Sequence, residues 1–295
     1  MKRILPIFLC ILLCVSLLAC ARRPEREQGR FCIVTAAFPE YDFARAVAGE
    51  LAEIHMLLPP GASAHSFDPS PADMRRILDA DIFLYTGGEG EVWIDTLLAA
   101  WDGSGPAIVC LVDFMDYDGL DPHIWTSPQK AMLLLDAITE GICAKDPENA
   151  SIYWENSDRY WLELREIDRE LIELVTNAPR NKIVVADRFP FYYLANDYGL
   201  TYAAAFSGCS DQADASAKTV ASLINAVAAE SIPYVYYVEF SNRRVAEAIC
   251  GQTGAGMLLL HSCHNVTRDD FESGVTYADL MRGNLINLRK GLGSP

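Results

Sequence analysis

Three of the chain's five histidines stand where a fold could bring them together: His65 in "PPGASAHSFDPSP", His123 in "DPHIWTSPQ" and His261 in "MLLLHSCHN". Each lies in a proline-bounded loop or just after an apolar, strand-like run. A neutral imidazole offers a lone pair that suits zinc, copper, nickel and iron, whereas oxygen-only sets suit magnesium, calcium and manganese. Pro122 fixes its own φ and biases Asp121 toward extended backbone, so the direction of the His123 ring is set before any ligand arrives. His55, inside the run "EIHMLL", reads as an ordinary strand residue, and His264, about one turn beyond His261, could replace it. No Cys-x-x-Cys occurs, which argues against a cysteine-based zinc cluster or a thioredoxin-type redox pair.

Elements that could carry these loops are legible on both sides. From Phe31 the runs "FCIVTAA", "EIHMLLPP", "DIFLYTGG" and "PAIVCLVD" read as strands, alternating with the helical "PEYDFARAVAGE", "SPADMRRILDA" and "EVWIDTLLAAW". Ser70 makes a natural N-cap, with Pro71 in the first turn. Beyond "NAPRN", strands "KIVVAD", "TYAAAF", "YVYYVEF" and "GMLLLH" alternate with helices in the same way, ending in a helix from about Tyr277. Such alternation predicts parallel sheets covered by helices on both faces.

Between the two halves neither glycine nor proline follows Pro147 until past Asn177. Tyr153, Tyr160, Leu164, Ile167, Leu171 and Leu174 recur at spacings of seven, four, three, four and three. That is one apolar stripe on a helix of about thirty residues, roughly 45 Å long. The expected fold class is therefore α/β, with two doubly wound lobes (31–145 and 179–295) joined by a rigid helix within 146–178. Ligands of open α/β sheets lie beyond the carboxyl ends of the strands, where the histidine loops fall.

The start of the chain predicts export. "MKRILPIFLCILLCVSLLAC" has a basic start and an apolar run too short for a stable membrane span, the layout of a secretory signal over residues 1–20. Its end, Leu17-Leu18-Ala19-Cys20, resembles a bacterial lipobox, with Cys20 as the lipid-bearing residue and 21–30 as a polar tether. A net charge of −16 excludes nucleic acid as a partner and weakly favours cations. Six cysteines follow the tether, and an even number in an exported chain permits disulfides; Cys209 with Cys263 is one candidate pair.

The segment "LLPPGASAHSFDPSPADMRRILDADIFLYTGG", followed in order by "DPHIWTSPQKA", "DPENASIY" and "YADLMRGNLINL", resembles the metal-binding lipoproteins of bacterial ABC importers, the zinc and manganese solute-binding proteins. The likeness covers nearly the whole mature chain. It implies two lobes with the metal between them, and a ligand set of His65, His123 and His261. The family's third ligand, a His or Glu, falls here on Arg188, which stays protonated and has no lone pair to give. The fourth position is then open to water, Asp187, Glu239 or His264; Asp187 and Glu239 could instead pair with Arg188.

Three histidines without a clear carboxylate favour zinc over manganese. The implied protein is a monomer, lipid-anchored on the outer face of the cell membrane, that hands a divalent metal to an ABC permease. Three histidines on zinc with an open fourth position can also generate zinc hydroxide, but neither HExxH nor a nucleophile elbow occurs, so the chain is read as no enzyme. The other alternative is a surface adhesin with metal as structural support.

Overall fold

The computed structural model describes residues 30–88, 92–99, 101, 103–117, 119, 121–206 and 215–294, apart from the side chains of His65 and Val92. Residues Cys32–Pro295 form one unit and Met1–Phe31 another. The signal segment, Cys20 and Cys209 lie outside the described residues, and with Cys209 the candidate pairing to Cys263. The described cysteines Cys32, Cys110, Cys143, Cys250 and Cys263 carry no disulfide.

The first half lays down β1 (Phe31–Thr35), α1 (Phe38–Ala48), β2 (Ala52–Met56), α2 (Pro71–Leu78), β3 (Ile82–Tyr85), α3 (Val92–Ala99) and β4 (Ala107–Cys110). The second half has β5 (Lys182–Val185), α6 (Tyr192–Tyr198), β6 (Thr201–Ala204), α7 (Ala217–Ala229), β7 (Tyr234–Tyr237), α8 (Arg244–Thr253), β8 (Gly256–Leu259), α9 (Arg268–Ser273) and α10 (Tyr277–Leu292). Between them run α4 (Pro128–Lys145) and α5 (Ala150–Asn177).

The two sheets have matching orders, β2-β1-β3-β4 and β6-β5-β7-β8. Every pairing with a described register is parallel, for example Val34 with Phe83 and Tyr236 with Leu258. All four residues of β3 are buried, as a sheet covered on both faces requires. In this order the chain reverses direction beside the first strand of each sheet, so each lobe has a switch point: β1/β3 in one and β5/β7 in the other.

In the first lobe that switch point is closed by the protein itself. Glu40, at the third position of α1, accepts the Ala37 N–H at 3.2 Å and the hydroxyl of Thr86, joining the ends of β1 and β3. Burial pushes its carboxyl above the usual range. In the second lobe, Asp187 and Glu239 follow β5 and β7 and line a cavity, as described below.

The long helix is present and bears out its stripe: all six apolar positions are buried, with Ser157 the one buried polar residue. Its 28 residues span about 42 Å. Ser157 is satisfied by the Thr139 hydroxyl at 2.9 Å. The outward face pairs Arg169 with Glu166 and Glu173. α5 packs on α1 and α4 at the first lobe and on α6 and α10 at the second, so it bridges the two. Leu171→Ala should lower unfolding free energy by about 2–5 kcal/mol, the cost of a buried leucine and its cavity, measured by urea denaturation.

The polar centre of this junction is Asp42 of α1. It accepts hydrogen bonds from Arg45, from the Tyr160 hydroxyl on α5, and from the Tyr277 N–H at the start of α10 at 2.8 Å. Arg45 also reaches the Val275 carbonyl at 2.8 Å. One buried carboxylate thus ties both lobes to the connecting helix.

Two helices went unread in the sequence. α4 buries Ala131, Leu134, Leu135, Ile138 and Ile142, a helical stripe opened by Pro128. α9 is six residues long, too short for periodicity to speak. As expected, Ser70 caps α2: its hydroxyl accepts the Asp73 N–H at 3.3 Å and the Asp73 carboxylate takes the Ser70 N–H at 2.9 Å.

Candidate metal centre between the lobes

A cavity of about 380 Å³ lies between the two halves. Its first wall is Gly61–Ala64 with His123; its second carries Asp187, Arg188, Glu239 and His264.

His123 enters on the loop after β4, one residue ahead of a 3₁₀ turn (Ile124–Thr126) that leads into α4. Asp121 grips it twice, accepting the His123 N–H at 2.8 Å and contacting ring Nδ1 at 2.7 Å. The histidine is 1% exposed. An ionised carboxylate only accepts, so Nδ1 carries the proton and Nε2 presents the lone pair. A carboxylate behind an imidazole is the support that metal-ligating histidines usually have. Trp125 packs edge-on against the ring at 5.3 Å, and its indole N–H donates to the Ser262 carbonyl at 2.8 Å in the opposite lobe.

The His264 ring stands 5.2 Å from that of His123 and 5.0 Å from Trp125. Its loop, after β8, is held by two tethers and a left-handed turn. Glu239 takes the Ser262 N–H at 2.8 Å and the Ser262 hydroxyl. Asn284 of α10 clamps the His261 backbone, accepting its N–H at 2.7 Å and donating to its carbonyl at 2.8 Å. Cys263 adopts left-handed backbone, φ 60°. A non-glycine residue holds that conformation only where its surroundings enforce it, and such residues cluster at ligand sites.

His261 sits differently. It is buried outside the residues lining the cavity, and its Nδ1 accepts the Cys263 N–H at 2.9 Å. That leaves the proton of the neutral ring on Nε2, the opposite tautomer to His123. Burial, helped by the Glu239 carboxylate, pushes the Cys263 thiol well up.

His65 lies in the 3₁₀ turn Ala64–Ser66, whose preceding residues line the cavity; its side chain is outside the described residues. The His65 loop is laced to the His264 loop: Asn265 donates to the Pro59 and Ala62 carbonyls at 2.8 Å, and the Gly61 N–H reaches the Val266 carbonyl at 2.8 Å. Among the described residues, no three His, Cys, Asp or Glu side chains converge as a metal cage.

Neither carboxylate pairs with Arg188. Both oxygens of Glu239 serve Ser262, and Asp187 Oδ1 accepts the Arg188 backbone N–H at 2.8 Å. The structure thus brings His123 and His264 together and leaves His261 apart. The functional residue that sequence reasoning missed is Asp121, read there only for its backbone; its position two residues before a histidine was the available signal.

Known proteins are similar to this chain in sequence and in fold. The zinc-binding lipoprotein AdcA of Streptococcus pneumoniae is 29% identical over 309 aligned positions, covering 98% of this chain and 61% of that protein. The chain therefore spans less than two thirds of that relative's length. The high-affinity zinc uptake system protein ZnuA of Bacillus subtilis is 26% identical, covering 88% of this chain and 87% of that one. The crystal structure of the Zn(II)-bound ZnuA-like domain of S. pneumoniae AdcA superposes with a TM-score of 0.79 at 30% identity, over 90% of this chain and 99% of that one. The family model for the periplasmic zinc-uptake complex component A, ZnuA, matches residues 33–291, and the chain belongs to that family.

Proposed function

We propose that this protein is the extracytoplasmic solute-binding lipoprotein of an ABC importer, capturing zinc in the cleft and delivering it to a membrane permease. Residues 31–145 and 179–295 act as the two jaws, and the chain works as a monomer that binds its metal rather than turning over a substrate. The observation that carries this reading is His123: buried, proton on Nδ1 through Asp121, and facing His264 in the inter-lobe cavity. The zinc-named relatives support the same metal, and imidazole donors favour zinc over manganese.

The ligands of this reading are His65, His123 and one histidine of the last loop. Geometry favours His264, with His261 shaping the loop through its bond to the Cys263 N–H. Two matched variants separate them. His261→Asn keeps an acceptor for that N–H and should leave zinc affinity within about tenfold of the parent. His264→Asn should lose more than about a hundredfold, beyond the tenfold to hundredfold typical of supporting groups. Chelator competition measures both, and the reverse order would make His261 the ligand.

Anchoring is tested separately. Cys20→Ala should leave the protein unlipidated and released from the membrane fraction. If the variant stays membrane-bound with the parent's mass, Cys20 is not the lipid site.

A further inference from the structure

Arg188 is chemically out of place in a zinc cleft. Arg188 is half-buried and lines the cavity beside Asp187, and its guanidinium makes no hydrogen bond or ion pair with any described residue. Arg244, at the first position of α8, is exposed at the same cavity, and its guanidinium has no partner among the described residues. Around them Phe240 and Arg243 hold left-handed backbone, φ 58° and 59°, a strain that concentrates at ligand sites.

Space and charge point the same way. A tetrahedral zinc sits about 2 Å from its nitrogens and needs little room of its own. The cavity of about 380 Å³ would hold on the order of ten waters at ~30 Å³ each. Zinc with two guanidiniums would bring four positive charges, against the two negative charges of Asp187 and Glu239. The donor set is also one short: three neutral imidazoles serve a cation that takes four ligands. Both oxygens of Glu239 are already engaged by Ser262.

We propose that the cleft takes zinc together with a small carboxylate or carbonate anion, which ligates the metal on one side and is held by Arg188 on the other. Arginine cannot ligate a cation, but its planar fork matches a carboxylate oxygen pair. Arg188 thereby supplies the missing ligand indirectly, by recruiting one. Arg244 and the start of α8 hold the outer end of a longer anion. The cargo is then a metal–anion complex rather than a bare ion. This inference rests on the zinc site proposed above.

The test uses the mature chain with free zinc fixed by a chelating buffer, in bicarbonate-free medium, with bicarbonate, and with citrate. Zinc affinity should rise at least about tenfold with one of the two anions, the usual worth of a hydrogen bond to a charged group. Native mass spectrometry should show protein, zinc and anion in equal numbers. A gain from bicarbonate alone assigns the smallest anion, and a larger gain from citrate assigns a polycarboxylate. Arg188→Gln should make zinc affinity indifferent to either anion, and Arg188→Lys should recover part of the gain. Zinc binding that no anion strengthens, or a full anion gain in Arg188→Gln, overturns the inference while leaving the zinc site standing; the former result would make Asp187 or water the fourth ligand. If zinc fails to bind under every condition, the proposed function falls with it.

Discussion

Zinc affinity of His123→Ala should fall by more than about a hundredfold, with the fold intact. The ring is 1% exposed and its Nε2 lone pair is aimed by Asp121, so alanine removes a donor whose orientation is already fixed. Asp121→Ala should cost about tenfold to a hundredfold, because the ring stays but its tautomer and direction are released. Chelator competition reads both affinities, and far-ultraviolet circular dichroism verifies the fold. Equal zinc affinity in His123→Ala and the parent would mean that the metal binds elsewhere.

Arg188→His should tighten zinc by about tenfold or more, and should do so in bicarbonate-free medium. The position lines the same cavity as His123 and His264, at the place where the family resemblance sets a His or Glu ligand. A fourth imidazole completes a tetrahedral set from the protein alone and removes the cation that repels the metal. Titration against the same chelator series distinguishes the outcomes. An affinity equal to the parent's would show that residue 188 does not reach the metal.

Much of this was legible in the sequence because it rests on local rules. Strand–helix alternation announced two parallel sheets, since a parallel connection needs a crossover helix. The stripe from Tyr153 to Leu174 announced α5, and Ser70-Pro71 announced the start of α2. The stripe of α4 was equally readable from Ala131, Leu134, Leu135 and Ile138.

The choice between His261 and His264 was not local. It depends on the left-handed turn at Cys263 and on two tethers distant in sequence, Glu239 to Ser262 and Asn284 to His261. No periodicity encodes which of two residues three apart faces a cleft when the loop between them is bent by contacts more than twenty positions away. Arg188 is the reverse case. Its chemistry could be read from its type alone, whereas its lack of a partner among the described residues appears only when Glu239 is seen to serve Ser262.

Anomalous diffraction at the zinc edge, from crystals of the mature chain grown with zinc, addresses the cleft most directly. A single strong peak is expected between His123 Nε2 and the His264 ring, with Zn–N distances of about 2.0–2.1 Å. A zinc peak outside the cleft, or one whose coordination contains neither imidazole, would contradict the assignment of this cavity as the metal site.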